Sequence, residues 1–387
     1  MTKRPSNISV DERLQRLDRL RAEMERQGLG AVVIGPTTNL RYFAGISWHP
    51  SERFTGAVIT PTAIIYICPG FERDKVQSLV SVPGDIRVWQ EDENPYALIA
   101  NAAGNGPVAL DDQVTLFTYF GLRKAVGDEH LRSAGPLTSR LRRIKSGAEL
   151  ALMQHAKNVT LEVQRRAHEL LRPGILVSEV IRFIDQNHRK LGSDGGNTFC
   201  LVSFAEDTTL PHGGEGERAL KDGDVVLIDT GCASDGYNSD ITRSYVFGEP
   251  TKRQREIWNL EKEAQAAAFA AAQIGAPCQS ADRAARDVLQ GAGLGPDYRL
   301  PGLPHRTGHG IGLDVHESPN LVRGDETPLA AGMCFSNEPM IVLPGEFGIR
   351  LEDHFYMTEK GPRWFTEPSH SIDEPFKGVT PLAEGAA

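Results

Sequence analysis

The sequence predicts an α/β (α+β) protein of two domains, and three observations predict it. The chain has 387 residues, more than a single hydrophobic core usually holds. Up to about residue 140, helical stretches alternate with short apolar runs separated by turn residues, the pattern of a small α/β domain. Beyond Ser146 the pattern changes to long helices interleaved with two strand pairs. These boundaries give a first domain over 1–140, a basic linker over 141–147 and a larger second domain over 148–387.

Taken in order, residues 11–28 place Leu14, Leu17, Leu20 and Met24 at helical spacing and stop at Gly28. The strand-like GAVVIG follows, then GAVIT, AIIYIC, IRVWQ and PVALDD, each bounded by turn residues. RLRRIKSG, from Arg140 to Gly147, is the densest basic cluster and reads as a solvated linker face. Ser146 with Glu149 three residues on makes a capping box, which opens a helix running to about Leu171. Further helices are expected near 177–191, 251–274 and 279–292, with strand pairs near 224–248 and 333–358.

Composition excludes several classes. With 40% hydrophobic and 24% charged residues the chain can bury a large core and is neither disordered nor fibrous. Five cysteines without CxxC spacing indicate free, reduced thiols rather than a disulfide framework or a structural zinc site. A net charge of −9 argues against nucleic acid as the partner. MTKRPSNISVDERLQRLDRL has no apolar run to act as a signal peptide, and no window approaches the roughly 18 apolar residues of a membrane span. The expectation is a soluble cytoplasmic enzyme.

The strand pairs carry acids where apolar residues belong. In GDVVLIDTGCASDGYNSDITRSYVFG, Asp229 ends an apolar strand and Asp240 returns beyond a turn at Ser234, Asp235 and Gly236. A regular hairpin makes the two acids cross-strand neighbours, with Cβ atoms about 5 Å apart. In CFSNEPMIVLPGEFGIRLEDHF, Glu338 and Glu352 flank a turn at Pro344 and Gly345 in the same way. Each acid taken alone is explained by pairing with Arg243, Arg350 or solvent. Four opposed carboxylates in an apolar interior instead call for neutralisation, and divalent metal ions supply it. Between the hairpins lies RTGHGIGLDVHESP, where His309 is a natural fifth ligand and His316 follows seven residues later.

These residues resemble the pita-bread metallopeptidases, the family of prolidase, aminopeptidase P and methionine aminopeptidase. The family's Asp, Asp, His, Glu, Glu order falls on Asp229 of LIDTG, Asp240 of NSDITR, His309 of TGHGIGL, Glu338 of SNEPM and Glu352 of RLEDH. RIKSGAEL at the domain junction and TTNLRYFAGI, Thr37 to Ile46, are similar to the creatinase and prolidase branch. The resemblance implies a creatinase/prolidase-like first domain and a pita-bread second domain, whose pseudo-symmetric β-hairpins are flanked by helices. It implies two divalent metal ions per subunit, manganese first, with cobalt, zinc or iron as alternatives. Asp229 would bind one ion, His309 and Glu338 mainly the other, and Asp240 and Glu352 both, around a bridging hydroxide that acts as nucleophile. Glu338 would accept its proton and His316 would polarise the scissile carbonyl or relay a proton. His212 of LPHGG and His305 of PHRTGH would line the pocket, and Arg350 would steady the carboxylates.

The resemblance further implies a substrate with proline after the scissile bond, a di- or oligopeptide, and a homodimer. Dipeptidases recognise a free carboxylate near that bond, and arginine is its usual fork. Some prolidases place it in a pattern like HExPR. Here HESPN has Asn320 at that position, with Arg323 three residues later as the candidate. The loop SWHPSERF, Ser47 to Phe54, is a candidate to close a partner subunit's pocket, or else a purely structural loop. Prolidase is the first expectation, with aminopeptidase P second. A metal-dependent hydrolase or lyase of a small metabolite on the same scaffold, or a binding module without catalysis, complete the readings.

Overall fold

The computed structural model describes residues 4–104, 106–214 and 216–382. They form two compact units, one spanning Ile8–Arg142 and the other running from Arg143 onward together with the residues just before Ile8.

The first unit starts with α1 (Val10–Gln27), whose N-cap Ser9 accepts from the Glu12 amide and whose chain leaves through Gly28 at φ 63°. Then follow β1 (Ala31–Ile34), α2 (Thr38–Ala44), β2 (Gly56–Ile59), β3 (Ile64–Pro69), α3 (Arg73–Leu79), β4 (Asp85–Trp89), α4 (Pro95–Ala103), β5 (Val108–Leu110), α5 (Leu116–Val126), β6 (Leu131–Ser133) and α6 (Gly135–Arg142). Among the described residues the strands form one mixed sheet in the order β4-β3-β2-β1-β5-β6. Its central strands are buried along their whole length, which is why they read as continuous apolar runs rather than alternating ones. The end of the basic run is not a solvated face. Arg142 closes α6 buried, with Nη1 donating to Thr38 Oγ1 and Asn39 Oδ1, both at 2.8 Å.

In the second unit Lys145 is likewise buried, paired at 2.9 Å with Glu317. Charge alone therefore misleads about this run, because each buried cation has a specific polar partner. The unit continues with α7 (Gly147–Leu170), opened by the reciprocal capping box of Ser146 and Glu149. It goes on through α8 (Val177–Lys190), β7 (Asn197–Phe204), β8 (Val225–Ser234), β9 (Tyr237–Asn238), β10 (Ile241–Val246), α9 (Lys252–Ala271) and α10 (Gln279–Gly291). The last strands are β11 (Gly308–Gly310), β12 (Glu317–Leu321), β13 (Cys334–Asn337), β14 (Met340–Leu343), β15 (Phe347–Arg350), β16 (Asp353–Thr358) and β17 (Gly361–Trp364).

Among the described residues β10-β8-β7 form one sheet, β12-β11-β13-β16-β17 a second, and β14 and β15 a separate hairpin. Two core clusters hold them. Ala156, Val163, Ile184, Phe204, Ile228 and Tyr245 fill the space where α7 and α8 cover the first sheet. The larger core draws Trp258, Ala268, Ala285 and Leu289 from α9 and α10 onto Leu303, Leu321, Phe335, Ile349 and Phe355 beyond them. Residues before 290 and after 302 thus share one apolar interior. Between the sheets, Arg243 pairs at 2.7 Å with Asp353, both fully buried, and also donates to the Glu352 carbonyl at 2.9 Å. Losing either member would strand a buried charge, a cost of about 3 to 5 kcal/mol.

Candidate metal centre

Three of the four acids lie where strands break off and change partners, whereas Asp229 sits in the middle of β8, which runs on past it to Ser234. Glu338 falls in the gap between β13 and β14, and Glu352 in the gap between β15 and β16. Asn337 faces Asp353 on one side of these gaps and Met340 faces Arg350 on the other, so the register brings the two glutamates opposite each other as the symmetric hairpin predicts. The aspartates differ from expectation. Asp229 pairs with Thr242 rather than Asp240, and Asp240 sits in the break between β9 and β10. The physical reason is the turn: Ser234 pairs with Tyr237 around Asp235 at φ 44° and Gly236 at φ 76°, and the one register that runs from that pair to Asp229 and Thr242 sets the two acids diagonally. Beside them, at Gly231, a Cβ would lie 1.9 Å from the Ser239 carbonyl oxygen, a crossing that only glycine allows.

His309 lies buried on β11 and is tightly oriented. Its amide donates to Ser336 Oγ at 3.0 Å, and its Nδ1 is 3.0 Å from the Gly310 carbonyl, an arrangement that puts the ring proton on Nδ1. Nε2 faces the acids, 3.1 Å from Glu338 Oε1 and 3.8 Å from Asp240 Oδ2: with a proton it donates to Glu338, and without one it offers its lone pair to a metal ion. Arg350, buried, donates from Nη2 to Asp229 Oδ2 at 2.6 Å and from Nε to Thr242 Oγ1 at 3.0 Å. Thr242 passes its own proton to Glu352 Oε2 at 2.8 Å. One guanidinium therefore positions carboxylates from both hairpins.

Charge is badly balanced in this space. Burial, then the charges of Glu352 and Asp229, push the Asp240 carboxyl well above its ordinary range. Burial, then Glu338 and Asp229, do the same to Glu352. Asp229 is raised by burial against the pull of Arg350. At Glu338 burial also raises the carboxyl, but the hydrogen bond and charge of His309, with His305 and Arg350, outweigh it and hold the group at about 2. Asp229 Oδ1, Asp240 Oδ1 and Glu352 Oε1 are buried with no hydrogen-bond partner. Buried oxygens of this kind are costly unless a cation meets them, and an all-oxygen set with one imidazole suits a divalent ion. Donor atoms of Asp240, His309 and His316 lie within 4.8 Å of one another, as do those of His309, Glu338 and Glu352.

A third such group is Asp240, Glu352 and His354, and His354 escaped the sequence reading. It stands two residues beyond Glu352, so the period-2 rule of a strand was the signal that would have found it. Both its ring nitrogens are buried without partners, and burial, then Lys157 and His309, push it well below its ordinary value.

His316 is exposed and edge-on to His309, with ring centroids 4.2 Å apart. Burial of its ring, then the charges of His309 and Arg306, hold it down at about 4. His305 is turned by an Nδ1 contact of 2.7 Å to the Arg306 carbonyl. His212 lines a cavity of about 430 Å³ with Phe199, Leu201, Pro211 and Asp229. Arg323 is engaged elsewhere. It is about half exposed, pairs with Asp297 and lies 5.6 Å from the Tyr298 ring.

Residues 151–359 match the profile of metallopeptidase family M24, and residues 16–144 that of the creatinase/prolidase N-terminal domain. A putative dipeptidase of Bacillus subtilis is 32% identical over 358 residues, which is 90% of this chain and 96% of that protein. The crystal structure of a dipeptidase from Mycobacterium ulcerans superposes with a TM-score of 0.88 at 33% identity, covering 95% of this chain and 98% of that one. A Xaa-Pro dipeptidase from Bacillus anthracis superposes with a TM-score of 0.81 at 27% identity, covering 92% and 98%.

Proposed function

The chain belongs to metallopeptidase family M24, and from that premise we propose that it is a dinuclear metal-dependent Xaa-Pro dipeptidase. The observation that carries this reading is the convergence of Asp240, His309, Glu338 and Glu352, with Asp229 held beside them by Arg350, around buried carboxylate oxygens that lack hydrogen-bond partners. The dipeptidases among its relatives support the short substrate. The Xaa-Pro dipeptidase among the solved structures supports proline after the scissile bond.

Asp229, Asp240, His309, Glu338 and Glu352 would hold two divalent cations, with manganese the first to test. Bound there, such ions would supply the Lewis acidity that lowers the pKa of a water and offsets charge on a tetrahedral oxyanion. The chain's own side chains do the rest. Glu338 is ionised at neutral pH, and with Oε1 facing His309 and Ser336 its Oε2 is the atom to take the proton from the attacking water. His316 is neutral near pH 7, so its ring N–H can donate a hydrogen bond to the scissile carbonyl, while the proton that Glu338 takes from the water is the one handed to the leaving nitrogen. His212 would bind the peptide from the cavity wall, His305 would back Glu338, and Arg350 keeps Asp229 and Glu352 in place through Thr242.

A homodimer belongs to this reading, supported by the exposed Leu116, Phe117 and Phe120 on α5, with the 47–54 loop closing the partner's pocket. So does a reducing, cytoplasmic setting, supported by five free cysteines. Among the described residues no helix is long and apolar enough to cross a membrane.

The second reading, Xaa-Pro aminopeptidase, is favoured by Asn320, which stands where an HExPR pattern has arginine. Metal-stripped enzyme reloaded with manganese, cobalt or zinc and given a Xaa-Pro dipeptide beside a Xaa-Pro-Xaa tripeptide separates the two. Metal-dependent cleavage of the dipeptide is expected. Preference for the tripeptide would make it an aminopeptidase, and inertness toward both under every metal would remove the peptidase reading in favour of a small-metabolite hydrolase.

A further inference from the structure

A dipeptidase must neutralise the substrate's free carboxylate close to the scissile bond, and the arginines near the centre differ in what they have left to give. Arg350 is bound to Asp229, Arg243 to Asp353, Arg286 to Asp282 and Arg323 to Asp297. Arg306 is different, because among the described residues no carboxylate lies within ion-pair distance of it. Among the described residues its one side-chain hydrogen bond runs from Nη1 to Asn320 Oδ1 at 2.9 Å.

That bond also fixes where the guanidinium is. Asn320 on β12 is the direct cross-strand partner of His309 on β11. Residues so paired project from the same face of a sheet, with Cβ atoms about 5 Å apart. A guanidinium held by Asn320 therefore stands on the face that carries His309, within a side chain's reach of the metal donors. Both Arg306 and Asn320 are only half-buried, so a ligand can reach them. With Nη1 turned to a neutral amide, the charge and the remaining N–H donors are free for a bidentate anion.

We infer that Arg306, held in position by Asn320, is the fork that binds the C-terminal carboxylate of the dipeptide. This rests on the dipeptidase reading, and it explains how HESPN serves that activity without an arginine of its own. The arginine comes from the loop leading into β11, before His309, rather than from after His316, and Asn320 becomes its positioning residue.

The test compares Ala-Pro with Ala-Pro amide, which lacks the carboxylate charge, on the metal-loaded enzyme. The wild type is expected to prefer the free acid. In Arg306→Gln that preference should fall by about 100-fold in kcat/KM, chiefly through KM, because a site discriminates strongly for the carboxylate only while the charged fork is there to bind it. Arg306→Lys should recover part of it, and Asn320→Leu should give an intermediate loss. The exchange of Arg306→Asn with Asn320→Arg should restore preference above that of Arg306→Gln. Inhibition by proline against prolinamide gives a second readout, and should weaken for proline in Arg306→Lys. A wild type that prefers the acid, together with an Arg306→Gln enzyme that keeps the same preference, overturns the assignment of Arg306 alone. A wild type indifferent to the carboxylate overturns the dipeptidase reading, and this inference with it.

Discussion

His188 on α8 shows how burial alone sets a residue's contribution. It is fully buried, its Nε2 lies 3.1 Å from Thr160 Oγ1, and burial pushes it down to about 4 from an ordinary 6.5. At neutral pH the folded and unfolded chains both carry it uncharged. As pH falls below 6.5 the unfolded chain takes up a proton that the folded chain refuses until about pH 4, so stability present above that window is lost within it. The full loss from this group is roughly 3 kcal/mol. The melting temperature is expected to drop over that window, and His188→Gln to flatten the drop. An unchanged acid profile in the variant would show that other groups govern acid unfolding. His309 is ruled instead by neighbours, its Nδ1 fixed by the Gly310 carbonyl so that Nε2 faces the acids.

At the scale of elements, the centre depends on how strands end. Gly231→Ala would drive a methyl group into the Ser239 carbonyl and displace Asp240, the next residue. We expect the variant to fold with a lower melting temperature, because the clash is local, and to bind manganese much more weakly, read by calorimetry. Full manganese affinity would mean that the crossing can relax without moving Asp240. The turn of the same hairpin marks the limit of what the sequence discloses. The helices from Val177, Lys252 and Gln279 were legible because apolar spacing is a local signal. So was the opposition of Glu338 and Glu352, since their hairpin keeps one register through both gaps. The pairing of Asp229 was not, because Ser234, Asp235 and Gly236 are all turn formers, and a turn centre displaced by one residue moves the partner by two. Strands β7, β11 and β12 went unread for a similar reason. Gly308–Gly310 is too short and Asn197–Phe204 too irregular in burial for periodicity to register. Arg142 and Lys145 looked solvated because a partner distant in sequence cannot be seen from a charge run.

At the scale of the molecule, the match extends over nearly the full length of the proteins compared, so the chain carries both units of its relatives. Within the second unit, the order of the donors along the chain hides their arrangement in space. Asp229 and Asp240 precede α9 and α10, His309, Glu338 and Glu352 follow them, and the two sets meet through Thr242 and Arg350.

The exposed stretch around Tyr298 and Leu300 joins those two sets of donors, and the apolar interior drawn from both sides of it does not depend on that join. Covalent continuity there is needed to find the fold more than to keep it. An engineered protease site at Arg299, cut after folding, is expected to leave the two fragments comigrating on size exclusion with metal content and peptidase activity intact. Refolding the denatured fragments should be far slower than refolding the whole chain, since two pieces must then meet by diffusion. Fragments that separate on cutting would show that the peptide link itself holds the halves together. If they stay together, the enzyme is a non-covalent heterodimer in waiting, with each fragment holding part of one catalytic centre.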